Sequence, residues 1–388
     1  AMTDAANQTT SYAYDANGRI TQKTDPRNAI TQYTYDANGR TLEETLPDGS
    51  KYQFAYTVVG NTVTETRVTD PNGHTTTYRF NGQGYEARRI DALGRIFKKD
   101  IDYATNQVTA EYDPLGRATR YTYDSHGNRT SVVDFEGNTT IIEYDQTWNK
   151  PTKITNALGF STTMQYDAKG NLASVTNPEN ETTTLAYSNL GRLASVTDPL
   201  GHITRFEYDA EGNLVKTTDA LGRIAQQRYD SANRLIESID GRGRSTQYNY
   251  DNLDRLNKIL DSLGNATLFT YDVSNSLTTV TDPQGAVIET NVYDLRSRLT
   301  QRTDALGKAI IYAYDGTGNL IQATDRKGQV TRTDYDALNR VSHNSYADSR
   351  TIDYTYDLVC NLIRISDSAV VEILYTYDNL NRLISEIT

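Results

Sequence analysis

Apolar and polar residues alternate along most of the chain, and short turn-forming segments interrupt the alternation at regular intervals. Many segments end in two aromatic residues that are two positions apart, with a small or polar residue between them. Examples are Tyr33 and Tyr35, Tyr121 and Tyr123, and Tyr248 and Tyr250. This period of two is typical of a β-strand with one aromatic face. No segment has a helical period longer than two turns, so the pattern predicts an all-β protein.

A second type of segment follows the first within each unit of the pattern. In residues 171–176 the apolar side chains of Leu172 and Val175 are three positions apart, which breaks strict alternation. An extra residue in a β-bulge would return both side chains to one face of the sheet. We therefore predict two strands per unit; the spacing alone does not establish the bulge.

The pattern repeats with a period of about 21 residues, marked by an aromatic residue followed by Asp. About 18 copies occur, and the spacing is irregular around residues 57–122. The clearest of these anchor pairs, which we expect to fix the repeat, are Tyr14 and Asp15, Tyr35 and Asp36, Tyr123 and Asp124, Tyr208 and Asp209, Tyr229 and Asp230, Tyr250 and Asp251, and Tyr314 and Asp315.

Each repeat contains two turn sequences with the same chemistry. The first turn follows the anchor tyrosine, as in residues 15–18, and the second lies half a repeat later, as in residues 198–201. The Asp that opens each turn can accept a hydrogen bond from the backbone N–H two residues on, and the closing Gly tolerates a left-handed conformation. Where the first turn lacks this Gly it usually has Asn or Asp; Trp148, Ser297 and Cys360 are exceptions. We predict that Cys360 holds an unfavourable positive φ or distorts its turn.

These features predict one array of β-hairpins over residues 1–388, without a separate catalytic domain. A sheet with two strands from each of about 18 repeats exceeds the number that an open sheet usually sustains without curling. We therefore expect one long, strongly curved sheet that forms a hollow or open shell.

Composition and charge narrow the function classes. The chain has 37% apolar residues, including 29 Tyr, and a net charge of −11 with the basic residues spread evenly, which argues against nucleic-acid binding. The lone Cys360 excludes an intrachain disulfide and a cysteine-based zinc site. No apolar stretch is long enough for a transmembrane helix, and the N-terminal residues do not form a signal peptide.

Few residues match the pattern of a catalytic, metal-binding or ligand-binding site. The Asp-x-Asn-Gly turns lack the remaining ligands of a calcium loop, and the common hydrolase and phosphate-loop motifs are absent, so we expect no enzyme activity, cofactor or metal. His74 and His202 occupy equivalent turn positions and are expected to be exposed. The candidate contact for a glycan is Trp148, which lies in an unusual turn; packing within the sheet is the alternative role for the aromatic residues.

The Tyr-Asp-x-x-Gly-Arg/Asn-Leu pattern, with Asp-Pro/Ala-Leu-Gly-Arg half a repeat later, resembles the RHS/YD repeats. That family includes RHS polymorphic toxins, the B and C components of bacterial toxin complexes, wall-associated proteins and the teneurin YD shell. The resemblance implies hairpins wound into a hollow spiral shell, which in toxins encloses a C-terminal effector. The self-cleaving Asp-Pro-x-Gly-Leu region of full-length toxins has no counterpart, because Arg117 and His202 follow the turns at residues 113–116 and 198–201.

The resemblance implies a structural shell or scaffold segment that encapsulates or shields a toxin or effector polypeptide lying outside these residues. It also implies an extracellular, secreted or cell-surface location. We expect a monomer without nucleic-acid partners or membrane insertion. The alternative function is a cell-surface carbohydrate-binding or adhesion module, with glycans as partners.

Overall fold

The computed structural model describes residues 1–369 and 371–388. Within these ranges the secondary structure consists of 37 β-strands without a helix, which confirms the all-β prediction. No helix of the described residues could therefore cross a membrane.

The strands of the first half are β1 (Met2–Thr3), β2 (Thr9–Tyr14), β3 (Ile20–Thr24), β4 (Ile30–Tyr35), β5 (Thr41–Thr45), β6 (Lys51–Val59), β7 (Thr62–Thr69), β8 (Thr75–Phe80), β9 (Glu86–Ile90), β10 (Ile96–Ile101), β11 (Val108–Tyr112), β12 (Ala118–Tyr123), β13 (Arg129–Val133), β14 (Thr139–Tyr144), β15 (Pro151–Thr155), β16 (Ser161–Tyr166), β17 (Leu172–Thr176) and β18 (Thr182–Tyr187). Those of the second half are β19 (Leu193–Thr197), β20 (Ile203–Tyr208), β21 (Leu214–Thr218), β22 (Ile224–Tyr229), β23 (Leu235–Ile239), β24 (Ser245–Tyr250), β25 (Leu256–Leu260), β26 (Ala266–Tyr271), β27 (Leu277–Thr281), β28 (Val287–Tyr293), β29 (Leu299–Asp304), β30 (Ala309–Tyr314), β31 (Leu320–Thr324), β32 (Val330–Tyr335), β33 (Val341–Ser345), β34 (Thr351–Tyr356), β35 (Leu362–Asp367), β36 (Val371–Tyr377) and β37 (Leu383–Ile387).

The strands pair antiparallel with their neighbours in the sequence, as β16 does with β17 and β17 with β18. All of the described strands are assigned to one sheet. Backbone contacts divide the chain into two compact units, one formed by residues 1–118 and 269–388 and the other by residues 119–268. We call these unit 1 and unit 2. The expectation of a single array over residues 1–388 stays a prediction.

A β-bulge follows the first turn of most repeats and accounts for the spacing of three noted in the sequence. In the β16–β17 hairpin, Met164 lies opposite Val175 and Tyr166 lies opposite Leu172. Three residues on β16 therefore match four on β17, and Ala173 is the extra residue. Leu172 and Val175 share a face of the sheet in spite of their spacing of three.

Most hairpin turns have three-residue loops. In the turn between β2 and β3, the N–H of Asp15 donates to the carbonyl of Arg19 at 2.9 Å, and the N–H of Gly18 donates to the carbonyl of Asp15 at 3.1 Å. Gly18 has a φ of 76°, a conformation that costs glycine little and most other residues more. This explains why Gly, Asn or Asp closes most turns.

Trp148, Ser297 and Cys360 were predicted as exceptions to the rule that Gly, Asn or Asp closes the turn. For Trp148 this prediction is wrong. The positive φ of the turn at residues 145–150 belongs to Asn149, at 53°, and not to Trp148. This loop has an extra residue, because the N–H of Asp145 donates to the carbonyl of Lys150. Ser297 and Cys360 do hold positive φ values, of 61° and 75°, so the prediction for Cys360 is confirmed.

The sheet has almost no buried apolar core. Among the described residues, the buried hydrophobic ones are Ala29, Ala110 and Ala118, and no large side chain is fully buried. Stability must therefore come from strand pairing, from half-buried tyrosines and from contacts between turns.

Candidate functional site at the turn edges

Most turns are closed by the side chain of the Asp that opens them. Oδ1 of Asp15 accepts hydrogen bonds from the N–H groups of Asn17 at 2.9 Å and Arg19 at 3.0 Å, and Oδ2 accepts one from Nε of Arg19 at 2.6 Å. The backbone N–H of Arg19 is the main cause that lowers the pKa of Asp15. A carboxylate held in this way is a structural clamp, and all of its hydrogen bonds stay within the turn.

The arginine of the clamp also ties its turn to the next repeat. Nη1 of Arg19 donates to the carbonyl of Asp36 at 3.1 Å, and the guanidinium lies 4.8 Å from the centre of the Tyr35 ring. The hydroxyl of Tyr35 in turn donates to the carbonyl of Ile20 at 2.6 Å. Anchor Asp, turn Arg and the following anchor Tyr therefore form one connected unit.

The same arrangement recurs in unit 2. Arg234 binds Oδ2 of Asp230 through Nε at 2.8 Å and Oδ1 of Asp254 through Nη1 at 2.6 Å. Its guanidinium lies 4.9 Å from the ring centre of Tyr250, whose hydroxyl donates to the carbonyl of Leu235 at 2.8 Å. The linkage is thus a property of the repeat, independent of the unit.

The predicted anchor residues lie in equivalent places. Each anchor Tyr is the last residue of its strand and each anchor Asp opens the following turn; the pairs are Tyr14 and Asp15, Tyr35 and Asp36, Tyr123 and Asp124, Tyr208 and Asp209, Tyr229 and Asp230, Tyr250 and Asp251, and Tyr314 and Asp315. Tyr208, Tyr229 and Tyr250 each lie opposite the leucine that begins the next strand, so they share a face of the sheet. The anchors therefore follow the edge of the sheet, at the point where each strand enters its turn.

Within unit 1, second turns near the N-terminus contact first turns near the C-terminus. We call this contact the seam. Arg27 donates to the carbonyl of Asp294 at 3.1 Å, to that of Leu295 at 3.2 Å and to Oγ of Ser297 at 2.8 Å. The Arg27 side chain is only 15% exposed.

Arg95 makes the most buried contact of this kind that we describe. It binds Oδ2 of its own Asp91 at 2.8 Å through Nε, and its Nη1 donates to the carbonyl of Leu358 at 2.9 Å and to Sγ of Cys360 at 3.1 Å. The side chains of Arg95 and Asp91 are 7% and 8% exposed. Arg117 repeats the pattern, with 2.6 Å from Nη1 to the carbonyl of Asn379.

Two further polar contacts extend the seam. Nδ2 of Asn72 donates to Oδ2 of Asp315 at 2.9 Å. Burial raises the pKa of Asp315, but hydrogen bonds from Asn72 and other side chains outweigh it and lower the pKa to about 2. Oδ2 of Asp48 lies 3.0 Å from both Arg296 and Arg298.

Reasoning from the sequence did not find the seam, although it singled out two of its residues. Ser297 and Cys360 stand where other turns have Gly, Asn or Asp, and both face a seam arginine. A side chain at this position provides an acceptor that Gly lacks. The departure from the turn rule was therefore a signal of a long-range contact.

Trp148, the candidate glycan contact, packs against the neighbouring first turn. A Cβ added to Gly170 would lie 2.7 Å from Cδ2 of the indole, so the ring covers this glycine closely. Trp148 remains 41% exposed. Its contact with a glycan stays a prediction.

His74 and His202 take the place of the turn arginine, His126 lies within a turn, and His343 lies on β33. Nδ1 of His202 is 2.8 Å from Oδ2 of Asp198, and the His202 side chain is 59% exposed, as expected for a turn residue. His74 is 31% exposed on its side chain, which makes it less open than predicted. In the described residues, no group of three or more His, Cys, Asp or Glu side chains could hold a metal ion.

Two family models match the sequence. The Teneurin YD-shell model matches residues 102–245, and the RHS Repeat model matches residues 1–30, 14–51, 35–67, 229–266, 293–331 and 314–350. No curated protein matches the sequence.

Several solved structures share the fold over 97% of this chain. The crystal structure of TcdB2-TccC3-Cdc42 has a TM-score of 0.81 at 17% identity. TcdB2-TccC3 without its hypervariable C-terminal region and a Tc holotoxin pore of Photorhabdus luminescens with a mutation in TccC3 both have TM-scores of 0.80 at 17% identity. The matched region covers 24% of each of these chains, so our chain spans about a quarter of their length.

Proposed function

Because the chain belongs to the RHS/YD-repeat proteins, we propose that it is a wall segment of a shell that shields another polypeptide. The family and the fold support a structural, scaffold role. The shielded polypeptide is the finer part of the proposal. Its chemical class is an effector or toxin segment that follows the repeats, and the location is extracellular or at a cell surface.

The seam is the observation that carries this proposal. A repeat array can form an extended ribbon in which each hairpin contacts only its neighbours. Here Arg95 and Leu358, which are 263 residues apart, are joined by a hydrogen bond, and Arg117 and Asn379 are joined across 262 residues. Contacts of this kind hold one stretch of sheet against another, edge to edge, which extends a wall beyond the width of one hairpin.

The scarcity of buried side chains also supports a wall. The described residues expose 22776 Å², whereas a compact protein of 43.4 kDa exposes about 15,000 Å². Both faces of much of the sheet are thus accessible to solvent, and one of them is free to face the shielded polypeptide.

The proposal can be tested by protease protection. A disordered reporter with a terminal epitope would be appended after Thr388, and its survival under limited proteolysis compared with that of the same reporter added in trans. We expect the attached reporter to survive longer, and to lose this advantage when Arg95→Glu and Arg117→Glu open the seam. Equal cleavage of the attached and the added reporter would contradict the shielding function.

The alternative, a carbohydrate-binding module, rests on the exposed indole of Trp148. A glycan array with the native chain and Trp148→Ala distinguishes the two functions. Glycan binding that Trp148→Ala abolishes, together with an unprotected reporter, would favour the alternative.

A further inference from the structure

Three basic side chains face one another directly across neighbouring strands of unit 1. Arg79 on β8 lies opposite Arg88 on β9, and Arg88 lies opposite Lys98 on β10. Residues in direct register share a face of the sheet, with their Cβ atoms about 5 Å apart. We call these three residues the basic row. It lies within the strands rather than at the turns, and the side chains of Arg79 and Lys98 are 46% and 54% exposed.

A row of this kind works against the sheet, because like charges directly opposite each other are destabilising. Pairs at the same position of the hairpin in unit 2 have opposite signs and form ion pairs at 2.7–3.2 Å; they are Glu143 and Lys153, Glu207 and Lys216, and Arg228 and Glu237. Arg79 and Arg88 occupy that position with two positive charges. Cross-strand pairing therefore does not explain the basic row, whereas a bound anion would offset its repulsion.

Two carboxylates neutralise part of the positive charge on this face. The buried carboxylate of Glu65 is shared, with Oε1 at 2.9 Å from Nε of Arg67 and Oε2 at 2.7 Å from Nε of Arg79. Oδ1 of Asp100 lies 2.7 Å from Nζ of Lys98. Both flanking members of the basic row thus have a carboxylate partner within the chain.

Arg88, at the centre of the row, has no counter-charge. Among the residues that the structure describes, no carboxylate pairs with it, and its Nε is buried without a hydrogen-bond partner. A guanidinium carries five N–H donors in a planar fork that suits a carboxylate. Arg88 and the five charged residues around it have a net charge of +2, although the whole chain has a net charge of −11. An anion is therefore the partner that would satisfy Arg88.

We propose that the basic row binds an acidic segment of another polypeptide. The flanking cations already bind the carboxylates of Glu65 and Asp100, so a carboxylate is the anion that this geometry accommodates. The row spans two strand spacings, about 10 Å, which is wider than one carboxylate. Side chains on one face of an extended segment are about 7 Å apart, so two alternate Asp or Glu residues reach Arg88 and a flanking cation together.

The shielded polypeptide of the proposed function is the source of this segment, so the identity of the partner rests on that function. Binding of a free acidic peptide does not rest on it and can be measured by itself.

Fluorescence anisotropy with a labelled peptide in which Glu alternates with Ser tests the proposal. We expect the native chain to bind this peptide with an affinity that falls as salt is added, since salt screens exposed charges. Arg88→Gln removes the unpaired charge and should raise the Kd at least tenfold. Arg205→Gln is the matched control: Arg205 is exposed on β20 between Ser195 and Thr218, and its loss should leave the Kd unchanged.

Arg88→Glu provides a readout that a purely structural role of Arg88 would not give. It places an acid between two bases, as in the ion pairs of unit 2, so it should abolish peptide binding and raise the Tm. A lower Tm would show that the basic row stabilises the sheet by itself and would overturn the proposal.

A native chain that does not bind the Glu peptide, or that binds it no better than the same peptide with Gln in place of Glu, would also overturn the proposal. So would an unchanged Kd in Arg88→Gln. Inorganic phosphate or a heparin fragment that binds as tightly as the Glu peptide would exclude an acidic polypeptide as the occupant. Reporter protection in the protease assay is a separate measurement, so failure of the shielding function and failure of peptide binding can be told apart.

Discussion

Arg95 offers the sharpest test of the seam, because its side chain connects two turns and is almost fully buried. Arg95→Ala removes the partner of Oδ2 of Asp91 and the two donors to Leu358 and Cys360. Breaking a buried ion pair by deleting one partner costs about 3–5 kcal/mol. Oδ1 of Asp91 keeps its hydrogen bonds from the N–H groups of Leu93 and residue 95, so we expect the lower end, about 3 kcal/mol.

The assay is urea unfolding followed by far-UV circular dichroism, with the free energy of unfolding extrapolated to water. Arg244→Ala is the control, since Arg244 makes the same pair with the Asp four residues before it but is 63% exposed. Its loss should be much smaller, because exposed ion pairs are weak. An Arg95→Ala loss no larger than that of Arg244→Ala would refute the view that the seam is a stabilising contact.

Three further outcomes are expected. The lowered pKa of Asp315 contributes stability above about pH 4 that is lost as the pH falls toward 2, so the destabilisation by Asp315→Asn, measured by urea unfolding, should shrink between pH 6 and pH 2.5. Tyr35→Phe should lower the free energy of unfolding by about 1 kcal/mol, and an unchanged value would mean that its hydroxyl bond is not needed. Gly170→Ala should shift the fluorescence of Trp148, the single Trp; Gly191→Ala, also at positive φ, should not, and equal spectra for both variants would contradict the packing.

The local structure was predictable from the sequence because nearly every repeat contains the same anchor pair and the same two turn sequences. The turn at Asp15 follows from residue preferences that act within a few positions, whereas the bulge at Ala173 was established by the register of the strands. The irregular turn around Trp148 was misassigned by one residue, since a four-residue loop and a three-residue loop begin with the same Asp.

The seam was not predictable in the same way. Which turn of residues 1–118 meets which turn of residues 269–388 depends on small strand-to-strand rotations summed over many repeats, and no local preference encodes that sum. The signs of the seam in the sequence were Ser297 and Cys360, which stand at a turn position where other repeats have Gly, Asn or Asp. Exceptions to a repeat rule are therefore places to look for contacts between distant repeats.

The separation of 263 residues between Arg95 and Leu358 has a consequence for synthesis of the chain. Hairpins can pair as soon as each is made, but at about 5–20 residues per second the partner of Arg95 emerges roughly 13–53 s later. During that delay the second turns of residues 25–117 are an open edge, next to neighbouring nascent chains that display the matching turns. Translation on crowded polysomes should then favour exchange of this edge between molecules, and slow synthesis should increase it.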